Sequence, residues 1–227
     1  MADKIKIRTM VLGMCQTNCY FFYREKDASG QAEAAGQAGA AGRTPVIVVD
    51  PADQGEQIYE ALRQKGFDVK AILLTHGHFD HIWGVNALRR LSNAPVYAWE
   101  GERALLEDAQ LNVSAQAGRA ATVQADHYVK DESTLSLEDF QIKVIATPGH
   151  TQGSCCYYLE EEGVLFSGDT LFEGSVGRTD LPTGSMSSLV RSIKEKLLVL
   201  PEAVQVFSGH GGQTTIGDEK RYNPYCR

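Results

Sequence analysis

Apolar and polar positions alternate in short runs along most of this chain. Ile5–Leu12 interleaves charged and apolar side chains, and residues 18–24 carry four consecutive aromatics, Tyr20, Phe21, Phe22 and Tyr23. Both segments read as strands. Residues 45–50, Pro-Val-Ile-Val-Val-Asp, form the continuous apolar run of a strand covered on both faces. Between them, residues 27–44 are rich in Ala, Gly and Gln and contain no large apolar side chain. That composition predicts a flexible hairpin insertion rather than a domain linker, because the short segment before it is too small to hold a core.

After Asp50 a helical period appears. Residues 54–65 place Ile58, Leu62 and Lys65 on one stripe, and Gly66 stops the helix. A strand at 69–75, a helix at 81–91, a short strand at 95–98 and a helix at 100–109 follow, and 111–124 has no strong period. Strands then crowd together at Thr134–Leu137, Phe140–Ala146, Cys155–Leu159 and 164–166. An amphipathic helix at 186–200 ends at Pro201, and 204–207 is a last buried strand. Helices interrupt the strands instead of forming a separate block, which predicts an α/β chain of mixed sheets with helices outside them. Two sheets facing each other would explain strands that are apolar on both faces.

Composition adds limits. The chain has 227 residues, 43% hydrophobic and 22% charged, an ordinary globular balance at a length that permits one or two domains. Twenty-two basic against 29 acidic side chains leave a net charge of −7, with no basic footprint for nucleic acid. The first residues lack the apolar centre of a signal peptide, and no apolar run is long enough for a bilayer. The expectation is a cytoplasmic protein without membrane association; oligomeric state is not legible. The five cysteines, Cys15, Cys19, Cys155, Cys156 and Cys226, form no disulfide or zinc-site spacing. They read as reduced, buried small hydrophobes, with penultimate Cys226 expected to be exposed.

The chemistry concentrates at His76-Gly77-His78-Phe79-Asp80-His81, which holds three of the six histidines. Past the end of a strand the chain is still extended, so His76 and His78 project to one side, and Gly77 lets the backbone bend. Asp80 and His81 follow where the chain turns into a helix. Four donors in six residues are too many for one metal with an open position and suit two adjacent ones. Three more donors each follow a strand and a turn: Thr147-Pro-Gly-His150, Ser167-Gly-Asp169 and Ser208-Gly-His210. Donors at several strand ends are how loops on a rigid scaffold assemble a site.

Together His76-Gly-His78-Phe-Asp80-His81, Thr147-Pro-Gly-His150-Thr-Gln-Gly-Ser154, Phe166-Ser-Gly-Asp169-Thr170 and Ser208-Gly-His210-Gly-Gly resemble the metallo-β-lactamase superfamily over nearly the whole chain. The resemblance implies a single domain over residues 1–227, a four-layer αββα sandwich with two metals at one edge of the sheets. It assigns one metal to His76, His78 and His150, the other to Asp80, His81 and His210, with Asp169 bridging. Phe172-Glu-Gly-Ser-Val-Gly-Arg178-Thr-Asp180-Leu-Pro and the stretch from Gly209 to Asn223-Pro224 are similar to the short bacterial branch of glyoxalase II, the hydroxyacylglutathione hydrolases. Arg178 falls in the loop where that branch carries a basic residue near glutathione, and Lys220 and Arg221 are further candidate contacts for an anionic substrate. Asp180 and, approximately, Gly212 stand where longer glyoxalase II enzymes place tyrosines, and the helical C-terminal substrate domain of those enzymes has no counterpart before Arg227. A broader or weaker grip on the substrate is implied.

The expected chemistry is hydrolysis of a thioester such as S-lactoylglutathione. Two cations would lower the pKa of a shared water, and the hydroxide would attack the acyl carbon. Asp80 would help orient it. The imidazole and carboxylate donors suit zinc, favoured here, and equally iron or manganese. Alternatives on the same residues are a persulfide dioxygenase-like oxidation at one iron on His76, His150 and Asp169, opening of a lactone or β-lactam, and metal binding without catalysis. His127 has no partner at ligand spacing and reads as structural. The aromatics at 20–23 read as core, and Lys194, Glu195 and Lys196 as the solvated face of a helix.

Overall fold

The computed structural model describes residues 4–25 and 42–227, so the insertion expected at 27–44 falls, up to residue 41, outside the described residues. The first sheet holds β1 (Ile5–Leu12), β2 (Thr17–Arg24), β3 (Thr44–Val49), β4 (Phe67–Leu74), β5 (Val96–Trp99) and β6 (His127–Val129) in that order. Its first three strands run antiparallel, and β3 to β6 run parallel. The second sheet uses β7 (Thr134–Leu137), β8 (Phe140–Ala146), β9 (Cys155–Leu159), β10 (Val164–Gly168), β13 (Gln205–Ser208) and β14 (Gln213–Thr215) in the order β14-β13-β10-β9-β8-β7. Only its β10–β13 pair is parallel. A small hairpin, β11 (Leu171–Phe172) with β12 (Ser175–Val176), follows β10.

Strand periodicity sorts the apolar residues into three layers. Tyr20, Phe22, Ile47, Val49 and Leu73 from the first sheet meet Ile142, Val144, Tyr157, Phe166 and Phe207 from the second in a core between the sheets. The alternate positions Cys19, Phe21, Val48, Ile72 and Leu74 face outward and are covered by helices α1 (Gly55–Gln64) and α3 (Val85–Ser92). On the far side, Cys156, Tyr158, Leu165 and Val206 lie under Leu189, Ile193 and Ile216. Those last three belong to α5 (Met186–Ser192), its continuation as a wider π turn over Ile193–Leu197, and α6 (Ile216–Tyr222). The result is the four-layer αββα arrangement. The aromatics at 20–23 are core as expected: Phe22 stacks on Phe166 with ring centroids 5.3 Å apart, and Tyr20 lies 5.4 Å from the same ring. Phe166→Ala should therefore lower unfolding free energy by about 3–5 kcal/mol in a denaturant titration.

The boundaries differ from expectation where tertiary contacts intervene. The helix expected at 81–91 is two pieces, α2 (Phe79–Ile82) and α3, separated at Trp83–Gly84. There the chain docks on the 51–52 turn: Gly84 N–H donates to Ala52 O, and a Cβ at Gly84 would lie 2.2 Å from Pro51 O. The helix expected at 100–109 is a single 3-10 turn at Glu100–Glu102 followed by the short α4 (Arg103–Leu106). Lys65 is exposed rather than on the buried stripe of Ile58 and Leu62. Cys226 is buried under the far-side layer, whereas Cys15 is exposed.

Candidate metal centre

Each chemical residue sits just past the end of a strand, at one edge of the sandwich. β4 delivers Thr75-His76-Gly77-His78, and α2 then presents Asp80 and His81. β8, β10 and β13 deliver His150, Asp169 and His210. The Gly168 backbone turn, at φ +48°, brings Asp169 round, and a Cβ there would fall 2.2 Å from Thr75 Oγ1. Asn18 and Tyr20 hold the third loop: Asn18 Nδ2 donates to Ser208 O and Gly211 O, and the Tyr20 hydroxyl donates to Ser208 O at 2.7 Å.

Two groups of donors result. His76 Nε2 lies 3.2 Å from His150 Nε2, and His78 Nδ1 lies 2.8 Å from the same nitrogen. His210 Nε2 lies 3.3 Å from Asp80 Oδ2, and His81 Nε2 lies 3.8 Å from that oxygen. Asp169 faces both groups. Its Oδ1 is 3.3 Å from His81 Nε2, and its Oδ2 is 3.5 Å from His150 Nε2 and 3.4 Å from His210 Nε2. All seven sequence-predicted metal candidates are thus brought together.

Neighbouring groups fix which ring nitrogens face inward. His150 Nδ1 donates to Arg178 O at 2.7 Å, leaving the Nε2 lone pair for the centre. His81 Nδ1 donates to Asp50 Oδ2 at 2.9 Å, which turns its Nε2 toward the centre. Asp50 also accepts from the Thr75 N–H and hydroxyl, and Thr17 donates to Asp80 Oδ2 at 2.8 Å. Asp50 and Thr17 were not candidates from sequence. Asp50 does end an apolar strand, the signal shared by the other donors, but without the adjoining Gly-His or Gly-Asp.

The electrostatics divide along the same line. Burial holds His76 well below the usual histidine range, helped by the nearby His81 and His150. Burial likewise takes His78 down to about 3 and lowers His150. These three imidazoles are neutral, the form that ligates a cation. For His81 burial also favours the neutral form, but Asp169, Asp80 and Asp50 outweigh it and raise the ring well above its ordinary value. His210 opposes burial through its hydrogen bonds to Asp169 and Asp80 and is raised to about 9. Burial pushes Asp80 and Asp169 upward, yet His81 and His210 dominate, taking Asp80 to about 2 and Asp169 well below the carboxylate range. Protons on His81 and His210 occupy the electrostatic role that a cation would fill.

The donor set fits a metal. His76, His78 and His150, and separately Asp80, His81 and His210, each offer ligand atoms within 4.8 Å of one another. Among the described residues, His78 Nε2, His81 Nε2 and Asp169 Oδ1 are buried without a hydrogen-bond partner. Unpaired buried polar atoms are costly, and a shared cation would satisfy such groups.

The model of the Metallo-beta-lactamase superfamily matches residues 40–210. The chain belongs to this superfamily. It is 37% identical over 223 residues to the probable metallo-hydrolase YqgX of Bacillus subtilis, covering 97% of each chain. It is 34% identical over 185 residues to the hydroxyacylglutathione hydrolase GloC of Haemophilus influenzae, covering 78% of this chain and 85% of that one. Among solved structures, the BLEG-1 B3 metallo-beta-lactamase superposes with a TM-score of 0.85 and 41% identity over 97% of this chain and 99% of that chain. TTHA1623 in a di-iron-bound form gives a TM-score of 0.78 and 33% identity over 96% and 99%.

A cavity of about 400 Å³ opens over the centre of this superfamily member, walled by Phe79, Phe172, Val176 and Leu181, with Cys15 and Arg178 also on its lining. Arg178 is the one Lys or Arg on that lining among the described residues. Lys220 and Arg221, the other two candidate substrate contacts, are not on it; both pair with Glu202 instead. They sit on the solvent side of α6, a helix that sequence reading did not assign although Thr215 caps it by accepting from Asp218 N–H. No helix among the described residues is long and apolar enough to cross a membrane.

Proposed function

We propose that the chain is a binuclear metal-dependent hydrolase of thioesters, with S-lactoylglutathione as representative substrate. One cation would be held by His76, His78 and His150, the other by Asp80, His81 and His210. The observation that carries this reading is Asp169, whose carboxylate lies between the two groups, with Oδ2 within 3.5 Å of both His150 and His210 and Oδ1 3.3 Å from His81. Divalent cations bound there would supply a water ionised near neutral pH and polarisation of the acyl carbonyl. The chain's own residues do the rest. Thr17 and His210 hold the Asp80 carboxylate in one orientation beside the reacting position, and Asp50 and Arg178 O hold His81 and His150 in the ligating tautomer. Phe79, Phe172, Val176 and Leu181 offer an apolar wall for the acyl group. A thiolate leaves without a general acid. The GloC relative supports the substrate class.

The donors are nitrogen and oxygen throughout, a set that takes zinc or iron, and the di-iron form of TTHA1623 supports including iron in any reconstitution. The presence of Asp80, His81 and His210 as a second complete group favours this reading over oxidation at one iron. A β-lactam is the second reading, favoured by the 41% identity to the BLEG-1 enzyme. The test is hydrolysis of S-D-lactoylglutathione and of a β-lactam by metal-reconstituted protein, with Asp80→Ala alongside. Thioester turnover lost in the variant is expected. β-lactam turnover alone would support the second reading, and turnover of neither would remove the thioester and β-lactam readings alike.

Arg178 lends itself to a separate prediction. Its guanidinium is forked onto Asp180, with both N–H···O distances at 2.7 Å, and both side chains are mostly exposed. The cation on the cavity lining is therefore already partnered. Exposed pairs are weak, so Asp180→Asn should lower KM for a glutathione thioester modestly, by at most about fivefold. It should leave KM for an uncharged thioester unchanged. Steady-state kinetics on the two substrates checks this.

A further inference from the structure

Glu102 is a buried acid, 1% exposed, that none of the preceding chemistry uses. It ends the turn before α4 and lies against two loops at once. Its Oε1 accepts the Gly77 N–H at 2.8 Å, and Gly77 separates His76 from His78. The Thr151 hydroxyl lies 2.9 Å from Oε1 and 3.0 Å from Oε2, and Thr151 directly follows His150. The loop beyond is moulded to the same residue, since a Cβ on Gly153 would fall 2.2 Å from Glu102 Oε2 and 2.3 Å from its backbone nitrogen. Thr151 is in turn tied to Ser154, hydroxyl to hydroxyl at 2.8 Å and N–H to hydroxyl at 3.1 Å. A single side chain thus joins the backbone between two of the clustered histidines to the residue beside the third. It touches nothing in the Asp80, His81 and His210 group.

We infer that Glu102 is a positioning residue that clamps the 76–78 and 150–154 loops together and so sets the affinity of the three-histidine group for its cation. The inference rests on the two-group reading proposed above. A residue serving general stability would weaken both groups alike; this clamp acts on one. Glu102 is not among the donors grouped above or on the cavity lining, and its carboxyl oxygens are taken up by Gly77 and Thr151.

The test is titration of the metal-free chain with cobalt(II), followed by its absorption, in the wild type and in His210→Ala, which lacks one donor of the second group. In both backgrounds Glu102→Ala should weaken the three-histidine equivalent by about tenfold or more, the range for losing an outer partner of a ligand. The other equivalent should keep its affinity. Glu102→Gln, which retains an oxygen acceptor for Gly77 N–H, should recover part of the loss. Thr151→Val keeps the buried acid and cuts one link, so it decides the matter if Glu102→Ala fails to fold; a smaller weakening of the same equivalent is expected. Wild-type affinity for both equivalents in Thr151→Val and in any folded Glu102→Ala overturns the clamp, as does equal weakening of both equivalents. A wild type that takes up a single equivalent overturns the two-group reading instead, and the clamp then stands or falls on whether the variants weaken that equivalent.

Discussion

Asp169→Ala should lower thioester turnover by at least about 1,000-fold, beyond the 10–100-fold typical of losing an outer partner. The reason is geometric. Asp169 is the one carboxylate of the seven that lies within 3.5 Å of imidazole nitrogens of both groups, and its Oδ1 is buried without a hydrogen bond. Removing it leaves His81 and His210 without one of the carboxylates that each of them faces, so both the spacing and the charge balance of the centre change together. Asp50→Asn is the informative contrast. It keeps all seven residues and alters the acceptor that His81 Nδ1 shares with Thr75, so a loss of about 10–100-fold is expected. Steady-state kinetics on the two variants, with metal content measured on the same samples, separates the roles. Comparable losses in both would mean that Asp169 does no more than an outer residue.

Chelation should lower the melting temperature of the reconstituted protein by roughly 8–16 °C. A cation at about 1,000 times its dissociation constant adds about 4 kcal/mol, and each kcal/mol moves a chain of this size by about 2–4 °C. The size of that shift should depend on pH, with a definite sign. In the metal-free fold His210 is raised from 6.5 to about 9 by Asp169 and Asp80 acting against burial. Its contribution to the metal-free fold is fully present below 6.5 and is lost as pH rises through about 9. A cation must displace that proton, and the one on His81, so binding strengthens as pH rises over the same window. The metal-dependent gain in melting temperature should therefore grow from pH 6.5 to 9, and binding should release protons into the buffer. Calorimetry in buffers of different ionisation enthalpy measures the release directly. A gain that shrinks with rising pH would contradict the assignment of His81 and His210 as proton-holding ligands.

Much of the fold was legible because local pattern and tertiary structure agree. Residues 45–50 and 69–75 are apolar on both faces, and β3 and β4 lie between the inter-sheet core and the helices. The seven chemical residues were legible for a different reason: a cation site needs donors of few types, and here each follows a strand that ends in a short glycine-bearing turn. What escaped is non-local. The break between α2 and α3 depends on Gly84 docking against Pro51 and Ala52, which no helical period reports. Asp50, Thr17 and Glu102 act through neighbours 25 to 63 residues away in the chain, and their sequence surroundings carry no donor motif. Lys220 and Arg221 were candidate contacts because their charge suited an anionic substrate, but α6 directs them to Glu202. Charge type indicates what a residue could bind, whereas the face of its helix decides what it meets.

The most direct measurement is the rate of S-D-lactoylglutathione hydrolysis by the metal-free chain as divalent cation is added in steps, with zinc and with iron(II). A binuclear centre bridged by Asp169 should give a rate that rises to a plateau at two equivalents per chain. A plateau at one equivalent, or no hydrolysis at any ratio with either metal, would contradict it.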